Sequence, residues 1–270
     1  MPPAVHAQEL FRAARLDAAI EALGGELRER PSDARGRTFL FELLAFAGQY
    51  DRAARQLDVL GAAGPGAEGG ALLYKSALHA ERERRELFER GGVPAAADGG
   101  AEAEGAVASD GPGLTSDAPT GGTLNGRRFA SIADADPRIG ARLELYAAGR
   151  YLLLPFVHVA SVRLEPPQRL RDLLWAPAVV RTGPRFRGRE LGEVLLPVMT
   201  PLASAHPHDE VRLGRVTEWV ALDAPAGGEA PVGQKLLLVD GDEVPLLEVR
   251  ELVIDAPDVP AVRHAAPQAA

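Results

Sequence analysis

The sequence contains no cysteine. This absence excludes disulfides, thiol catalysis and metal sites with cysteine ligands. No apolar run reaches the roughly 18 residues that a membrane-spanning helix needs, and the residues up to Arg15 include no uninterrupted apolar stretch typical of a signal peptide. We therefore expect a cytoplasmic protein that does not enter a membrane.

Basic residues are fewer than acidic residues. The chain has 30 Lys and Arg residues against 38 Asp and Glu residues, which gives a net charge of −8. Proteins that bind a nucleic-acid backbone need a basic face, so nucleic acid is not an expected partner. A protein partner that presents a basic segment fits this charge. At 270 residues the chain is long enough to bury the core of one or two domains.

The N-terminal third has helical periodicity. Apolar residues recur every three or four positions from Leu10 to Leu27, and a second apolar stripe runs from Phe39 to Phe46. Further helices are predicted up to residue 62 and over residues 67–90.

This region also repeats. A shift of 34 residues aligns apolar, small and acidic positions, and 34 is the period of the tetratricopeptide repeat, a pair of antiparallel helices. The aligned pairs include Leu10–Leu44, Asp17–Asp51 and Leu23–Leu57. We therefore predict a tetratricopeptide-like (TPR-like) α/α superhelix over residues 1–90.

Stacked helical hairpins leave a concave groove that suits an amphipathic helix from a partner. The candidate partner-binding residues are Phe39, Leu43, Phe46 and Tyr50. The alternative interpretation is that these side chains form the core of the hairpins.

The composition then changes twice. Residues 91–126 are rich in Gly, Ala, Pro, Ser and acidic residues and predict a flexible linker, because they cannot bury enough apolar surface to become ordered. Residues 127–255 contain many short runs of Val, Leu and aromatic residues between Gly and Pro, which predicts a small, bent antiparallel β-barrel-like domain. Residues 256–270 predict a frayed tail. The fold class is thus multidomain α+β.

The stretch from Gly149 to Pro177 concentrates aromatic residues and prolines. It predicts a strand that Pro155 bends or ends, a second strand, and a helical turn after Pro166. Trp175 is expected to close the core of the C-terminal domain.

His206, His208 and Asp209 form the one histidine cluster of the sequence. Two imidazoles and a carboxylate can bind zinc or iron, so a metal-dependent or orphan enzyme is one hypothesis. We interpret the cluster as a surface loop instead, because Pro207 fixes an extended local chain, which does not by itself bring both rings to one ion, and no third histidine lies nearby.

Asp134 and Asp136 are two carboxylates that could perform acid–base chemistry or bind a cation. A turn in which an Asp side chain accepts from the backbone before Pro137 is the simpler account. His158 alternates with valines and is expected on a sheet face. Several other charged residues lie in apolar strings and could form buried pairs or a site, namely Asp172, Glu193, Glu218, Arg212 and Arg215.

Motifs of known enzymes are missing from the sequence. It has no glycine-rich phosphate loop, no nucleophile elbow and no HExxH motif. We therefore predict no catalytic residues, no bound metal and no cofactor.

Strings along most of the chain resemble the ImpE/TagJ family (SciE-type) of type VI secretion accessory proteins. They include Phe39–Gly48, Ile132–Gly140, Gly149–Tyr151, Leu170–Pro177, Gly192–Val198 and Thr217–Trp219. The resemblance implies a non-enzymatic cytoplasmic adaptor whose partners are the small subunit of the contractile sheath and the ClpV-type ATPase. Family members usually add a helical pair where residues 91–123 are of low complexity, which implies a shortened helical domain here.

Overall fold

The computed structural model describes residues 3–91, 120–183, 191–222 and 227–255. The chain forms a mixed α+β fold with helices first and antiparallel sheets after them. The N-terminal helices are Pro3–Arg12 (α1), Leu16–Glu29 (α2), Ala34–Phe46 (α3), Tyr50–Gly61 (α4) and Pro65–Glu89 (α5). The apolar stripe from Leu10 to Leu27 is therefore divided between two helices, because the chain turns at Ala14.

The helical repeat is visible in the backbone. Ala14 and Gly48 lie 34 residues apart, each in a turn between two helices, and both have left-handed φ angles, 52° and 67°. In each turn the N–H of the next residue donates to the carbonyl oxygen five positions earlier, a hydrogen bond typical of a helix C-terminus. These bonds are Arg15 N–H to Leu10 O and Gln49 N–H to Leu44 O, both 2.9 Å. The assignment of these hairpins to the tetratricopeptide class stays a prediction.

The remainder of the described chain is mainly strands. They are Gly122–Leu124 (β1), Arg127–Phe129 (β2), Ile132–Asp134 (β3), Arg142–Ala147 (β4), Arg150–Pro155 (β5), Val159–Leu164 (β6), Trp175–Thr182 (β7), Gly192–Pro197 (β8), Glu218–Ala221 (β9), Glu229–Val232 (β10), Leu236–Val239 (β11), Asp242–Pro245 (β12) and Glu251–Ile254 (β13). A one-turn helix, Asp209–Arg212 (α6), lies between β8 and β9.

The strands form three antiparallel sheets rather than a closed barrel. The largest has eight strands in the order β2-β1-β13-β6-β7-β8-β4-β5. Its edge strands β2 and β5 do not pair with each other in the described residues, so the barrel expected from the sequence is not found. A three-stranded sheet, β12-β11-β3, and a hairpin, β10-β9, complete the set.

Some local predictions are confirmed and others are not. The Asp240-Gly241 dipeptide predicts a hairpin turn between two strands, and it forms a tight turn between β11 and β12 with φ angles of 53° and 90°. Pro155 ends β5, as predicted. His158 lies in a 3-10 turn and not on a sheet face as expected. Strand β1 lies within the last residues of the segment predicted as linker; residues 92–119 and the predicted tail, 256–270, lie outside the described residues.

Two apolar cores hold the fold together. One lies within the sheets and includes Phe156, Val180 and Leu196. The other contains the helices and also Tyr146, Trp175 and further residues of the C-terminal half. Helices and sheet therefore share a core instead of meeting only through a linker.

Trp175 belongs to this shared core, which corrects the expectation that it closes the C-terminal domain alone. It is 1% exposed, and its ring stacks on Phe41 of α3 at 6.1 Å between centroids and lies 5.9 Å from Tyr74 of α5. Its Nε1 donates to Glu81 of α5 at 3.1 Å. The first residue of β7 thus anchors the sheet to two helices.

We expect Trp175→Ala to lower the free energy of unfolding by about 3–5 kcal/mol, because it removes a buried ring and leaves Glu81 without its indole donor. Urea denaturation followed by circular dichroism measures this loss. Trp219→Ala is the matched control, since the chain's other tryptophan is 39% exposed. Equal effects of the two substitutions would contradict the anchoring role of Trp175.

Candidate functional site

The four apolar residues predicted to bind a partner lie in or near the shared core. Leu43 is fully buried and Phe46 is 2% exposed, whereas Phe39 and Tyr50 are half-buried. The Phe39 ring packs edge-on against Phe11 of α1 at 5.7 Å. A partner can therefore reach only two of the four without opening the helices.

Phe46 and Tyr50 face the sheet across a small cavity. Its volume is about 30 Å³, and its lining includes Glu81, Arg84 and Trp175. A cavity of this size has room for a water molecule but not for a helix. The predicted apolar groove is thus occupied by the protein's own C-terminal half at this position.

The segment between β8 and β9 packs on the turns of the helical hairpins. Asp209 Oδ2 accepts the N–H of Leu16 at 2.7 Å, so it caps the start of α2 from a distant part of the chain. The Arg215 guanidinium donates to two carbonyl groups at the end of α1, those of Phe11 and Arg12, at 2.6 and 2.8 Å. Its positive charge also suits a helix C-terminus.

Two of the three side chains in the alternative metal-site hypothesis, His206 and His208, lie together in the structure, but Asp209 does not join them. Asp209 is engaged with the N–H of Leu16 on α2 and with Arg212, at 2.6 Å from the guanidinium, so its carboxylate lies apart from the two imidazoles. Glu218, the first residue of β9, lies against both imidazoles instead. Its carboxylate oxygens are 3.6 Å from His206 Nε2 and 3.4 Å from His208 Nδ1.

The two aspartates before Pro137 form structural contacts. Asp134 Oδ1 accepts the N–H of Asp136 at 2.9 Å, which confirms the predicted turn. Asp136 is fully buried and binds the Arg138 guanidinium through both carboxylate oxygens, at distances from 2.7 to 3.2 Å. Asp134 pairs with Lys235, which directly precedes β11, the strand that pairs with β3.

The other charged candidates are dispersed. Asp172 is buried and accepts the N–H groups of Gln168 and Arg169, both at 2.9 Å, so it caps the turn before Trp175. Glu193 is exposed. Arg212 bridges from α6 to Asp17 at 2.9 Å.

A cluster of buried charges lies at the junction of helices and sheet. Arg84 of α5 donates to both carboxylate oxygens of Glu144 on β4, at 2.8 and 2.7 Å. Lys235 contacts the same carboxylate, and Tyr151 donates its hydroxyl to it at 2.6 Å. The Arg84 and Glu144 side chains are 2% and 0% exposed. Opposite charges so placed offset each other's cost of burial.

The cluster shifts the ionisation of its carboxyl groups in opposite directions. Burial alone would raise the pKa of Glu144, but the charges of Arg84 and Lys235 outweigh it and lower the pKa to about 2. Burial raises the pKa of Asp134 to about 6 in spite of the attraction of Lys235. Raised or lowered pKa values also accompany structural ion pairs, so they do not by themselves indicate catalysis.

The comparisons with known proteins agree with the sequence resemblance. The family model described as ImpE protein matches residues 126–253. The type VI secretion system accessory component TagJ of Pseudomonas aeruginosa is 37% identical over 273 aligned positions, which cover 94% of this chain and 93% of that protein. The chain belongs to the ImpE family.

A solved structure shows the same fold. The crystal structure of protein VPA1032 from Vibrio parahaemolyticus superimposes with a TM-score of 0.76, covering 93% of this chain and 97% of the other. At 21% identity this similarity concerns the fold alone. It extends over helices and sheets together, so the family model's C-terminal match and the helical region belong to one known architecture.

Sequence reasoning about this ImpE-family chain missed the buried charge cluster. One signal was available: Lys235 is one of only two lysines and directly precedes the apolar run Leu236–Val239. A lysine at the start of a buried strand needs a partner. Its partners Asp134 and Glu144 are about 100 and 90 positions away in the chain, and sequence spacing does not reveal such a pairing.

We expect Glu144→Gln to lower the free energy of unfolding by about 3 kcal/mol at pH 7, since it removes the charge that Arg84 and Lys235 stabilise. The pKa of Glu144 is about 2 in the folded protein against 4.5 ordinarily. The advantage of the wild type is therefore complete above pH 4.5 and disappears as the pH falls towards 2.

Urea denaturation of wild type and variant at several pH values between 7 and 3 tests this dependence. Glu193→Gln, at an exposed position, is the control and should show little difference at any pH. A wild-type advantage over Glu144→Gln that is as large at pH 3 as at pH 7 would show that the carboxylate is not stabilised as a charge.

Proposed function

We propose that this protein is a non-enzymatic, cytoplasmic accessory protein of type VI secretion. In this role it acts as an adaptor that binds the small subunit of the contractile sheath, the ClpV-type ATPase that disassembles the sheath, or both. The observation that carries the proposal is the 37% identity to an accessory component of this system over nearly the full length of both chains.

The burial of charge supports a non-enzymatic role. Each buried carboxylate in the described ranges already has a donor: Glu42 from Arg171, Glu81 from Trp175, Asp134 from Lys235, Asp136 from Arg138, Glu144 from Arg84, and Asp172 from backbone amides. A general base needs a carboxylate or imidazole that can reach a substrate. In addition, the described helices include none long and apolar enough to cross a membrane.

The docking surface that we propose for a partner helix is the groove between α4 and α5. Its volume is about 380 Å³, and Leu57 and Ala71 contribute buried apolar surface to its lining. Leu72 also lines it and is 65% exposed, an unusual degree for a leucine. An amphipathic helix that inserts its apolar face into this groove would cover Leu72.

Charged residues at the groove fit the same partner. Asp58, Glu68 and Lys75 line its rim, and Lys75 pairs with Asp58 across it. An apolar floor between charged edges suits an amphipathic helix, whose polar flanks meet the rim. The four residues predicted from the sequence as partner contacts do not line this groove. Phe39, which is half-buried, stays proposed as a secondary contact, whereas Leu43, Phe46 and Tyr50 would act by shaping the hairpins.

Co-purification with the small sheath subunit tests the proposal, and we expect the folded wild type to retain it at low salt. Leu72→Glu should reduce the retained amount at least tenfold, because it places a charge where an apolar side chain of the partner would lie. Leu73→Glu is the matched control: Leu73 is the next residue of α5 and is 49% exposed, but it does not line the groove.

Different outcomes would contradict the adaptor function and the docking surface. If neither the sheath subunit nor the ATPase is retained by folded wild-type protein, the adaptor function is wrong. If a partner is retained equally by Leu72→Glu and Leu73→Glu, the adaptor function stands and the groove is not the docking surface.

A further inference from the structure

We propose that His206, His208 and Glu218 form a binding site for a single divalent transition-metal ion of the zinc type. One ligand atom from each of the three side chains lies within 4.8 Å of the other two. Residues 3–91, 120–183, 191–222 and 227–255 contain no second convergence of three such side chains. The proposal is independent of the type VI secretion role.

The distances already approach those of a metal site. Zinc bonds to imidazole nitrogen and carboxylate oxygen are about 2.0–2.1 Å long, so two ligand atoms of a tetrahedron are separated by about 3.3 Å. Glu218 lies 3.6 Å from His206 Nε2 and 3.4 Å from His208 Nδ1. Each contact involves a different carboxylate oxygen of Glu218, Oε2 with His206 and Oε1 with His208, so side-chain rotation has to bring the three groups to one ion.

The backbone arranges the two imidazoles without a metal. His206 and His208 both have extended conformations, with ψ angles of 144° and 123°. In an extended chain residues i and i+2 point to the same side, and their rings here are 5.3 Å apart. Pro207 between them restricts the chain to this shape.

Contacts on both sides hold the segment in place. After His208, Asp209 caps α2 and Arg215 binds the end of α1. Glu218 opens β9 and is paired with Val232 of β10. Because the ligands lie on anchored backbone, less conformational entropy is lost when an ion binds.

The donor set selects the kind of ion. Two imidazoles and one carboxylate favour zinc, copper or nickel over calcium and magnesium, which require mostly oxygen ligands. The His208 side chain is 69% exposed and that of Glu218 is 42% exposed, so the fourth position faces solvent and would be filled by water. Three protein ligands and one open position distinguish this site from a closed structural zinc site.

One contact must change when the ion binds. The backbone N–H of His208 donates to Nδ1 of His206 at 3.2 Å. A metal on Nε2 places the ring proton on Nδ1, so this hydrogen bond is lost. Its loss, together with a three-ligand set, makes the expected affinity lower than that of a four-ligand site.

Isothermal titration of the full chain with zinc chloride, after chelator treatment and dialysis, tests the site. We expect one equivalent of zinc to bind to the wild type at pH 7.5. His208→Ala and Glu218→Gln should each lower the zinc affinity by about tenfold or more. Loss of a residue that only hydrogen-bonds to a metal ligand already lowers metal affinity by about 10- to 100-fold. Both positions are substantially exposed, so thermal melting should show that the variants remain folded.

His79→Ala is the matched control. His79 lies on α5 beside Glu83, at 3.7 Å, and is 61% exposed, so it presents an imidazole and a carboxylate without a second histidine. This variant should bind zinc as the wild type does. No saturable binding by the wild type, or equal binding by wild type and His208→Ala, would overturn the proposal.

Discussion

The guanidinium of Arg84 and the carboxylate of Glu144 bind each other through two hydrogen bonds inside the junction of helix α5 and strand β4. Neither charge can be left alone there without a large cost, so the pair restricts how the helices lie on the sheet. Arg84 also donates to the carbonyl of Met199 at 3.0 Å, and Lys235 brings the three-stranded sheet to the same carboxylate. One buried carboxylate thus connects three parts of the fold.

The same junction limits where a partner can bind. The sheet and the segment around α6 cover the turns of the helical hairpins, with Asp209 on α2, Arg215 on α1 and Ser204 beside Gly48. The concave side that the repeat period suggested as a partner groove is therefore used within the molecule. The exposed apolar surface of α5 at Leu72 lies in a different groove, between α4 and α5, which the protein's own C-terminal half leaves free for a partner in the proposed role.

Sequence reasoning succeeded where a property depends on local chain chemistry. Apolar periodicity predicted the N-terminal helices, although not the turn at Ala14, and the Asp240-Gly241 dipeptide predicts the hairpin turn found there. It failed where the outcome depends on which element covers a side chain. Trp175 was expected to be buried, and it is, but against α3 and α5 rather than within the sheet domain. Likewise Glu218, rather than Asp209, lies beside the two histidines. The pairing of β9 with β10 positions Glu218, whereas Asp209 caps α2.

A double-mutant cycle on Arg84→Met and Glu144→Gln tests most directly whether the buried pair joins the helices to the sheet. The free energy of unfolding of the wild type, both single variants and the double variant is measured by urea denaturation at pH 7. We predict a coupling energy of about 2–3 kcal/mol and one cooperative transition for the wild type. A coupling energy below about 0.5 kcal/mol, or separate transitions for helices and sheet in the wild type, would contradict the claim that this pair joins them.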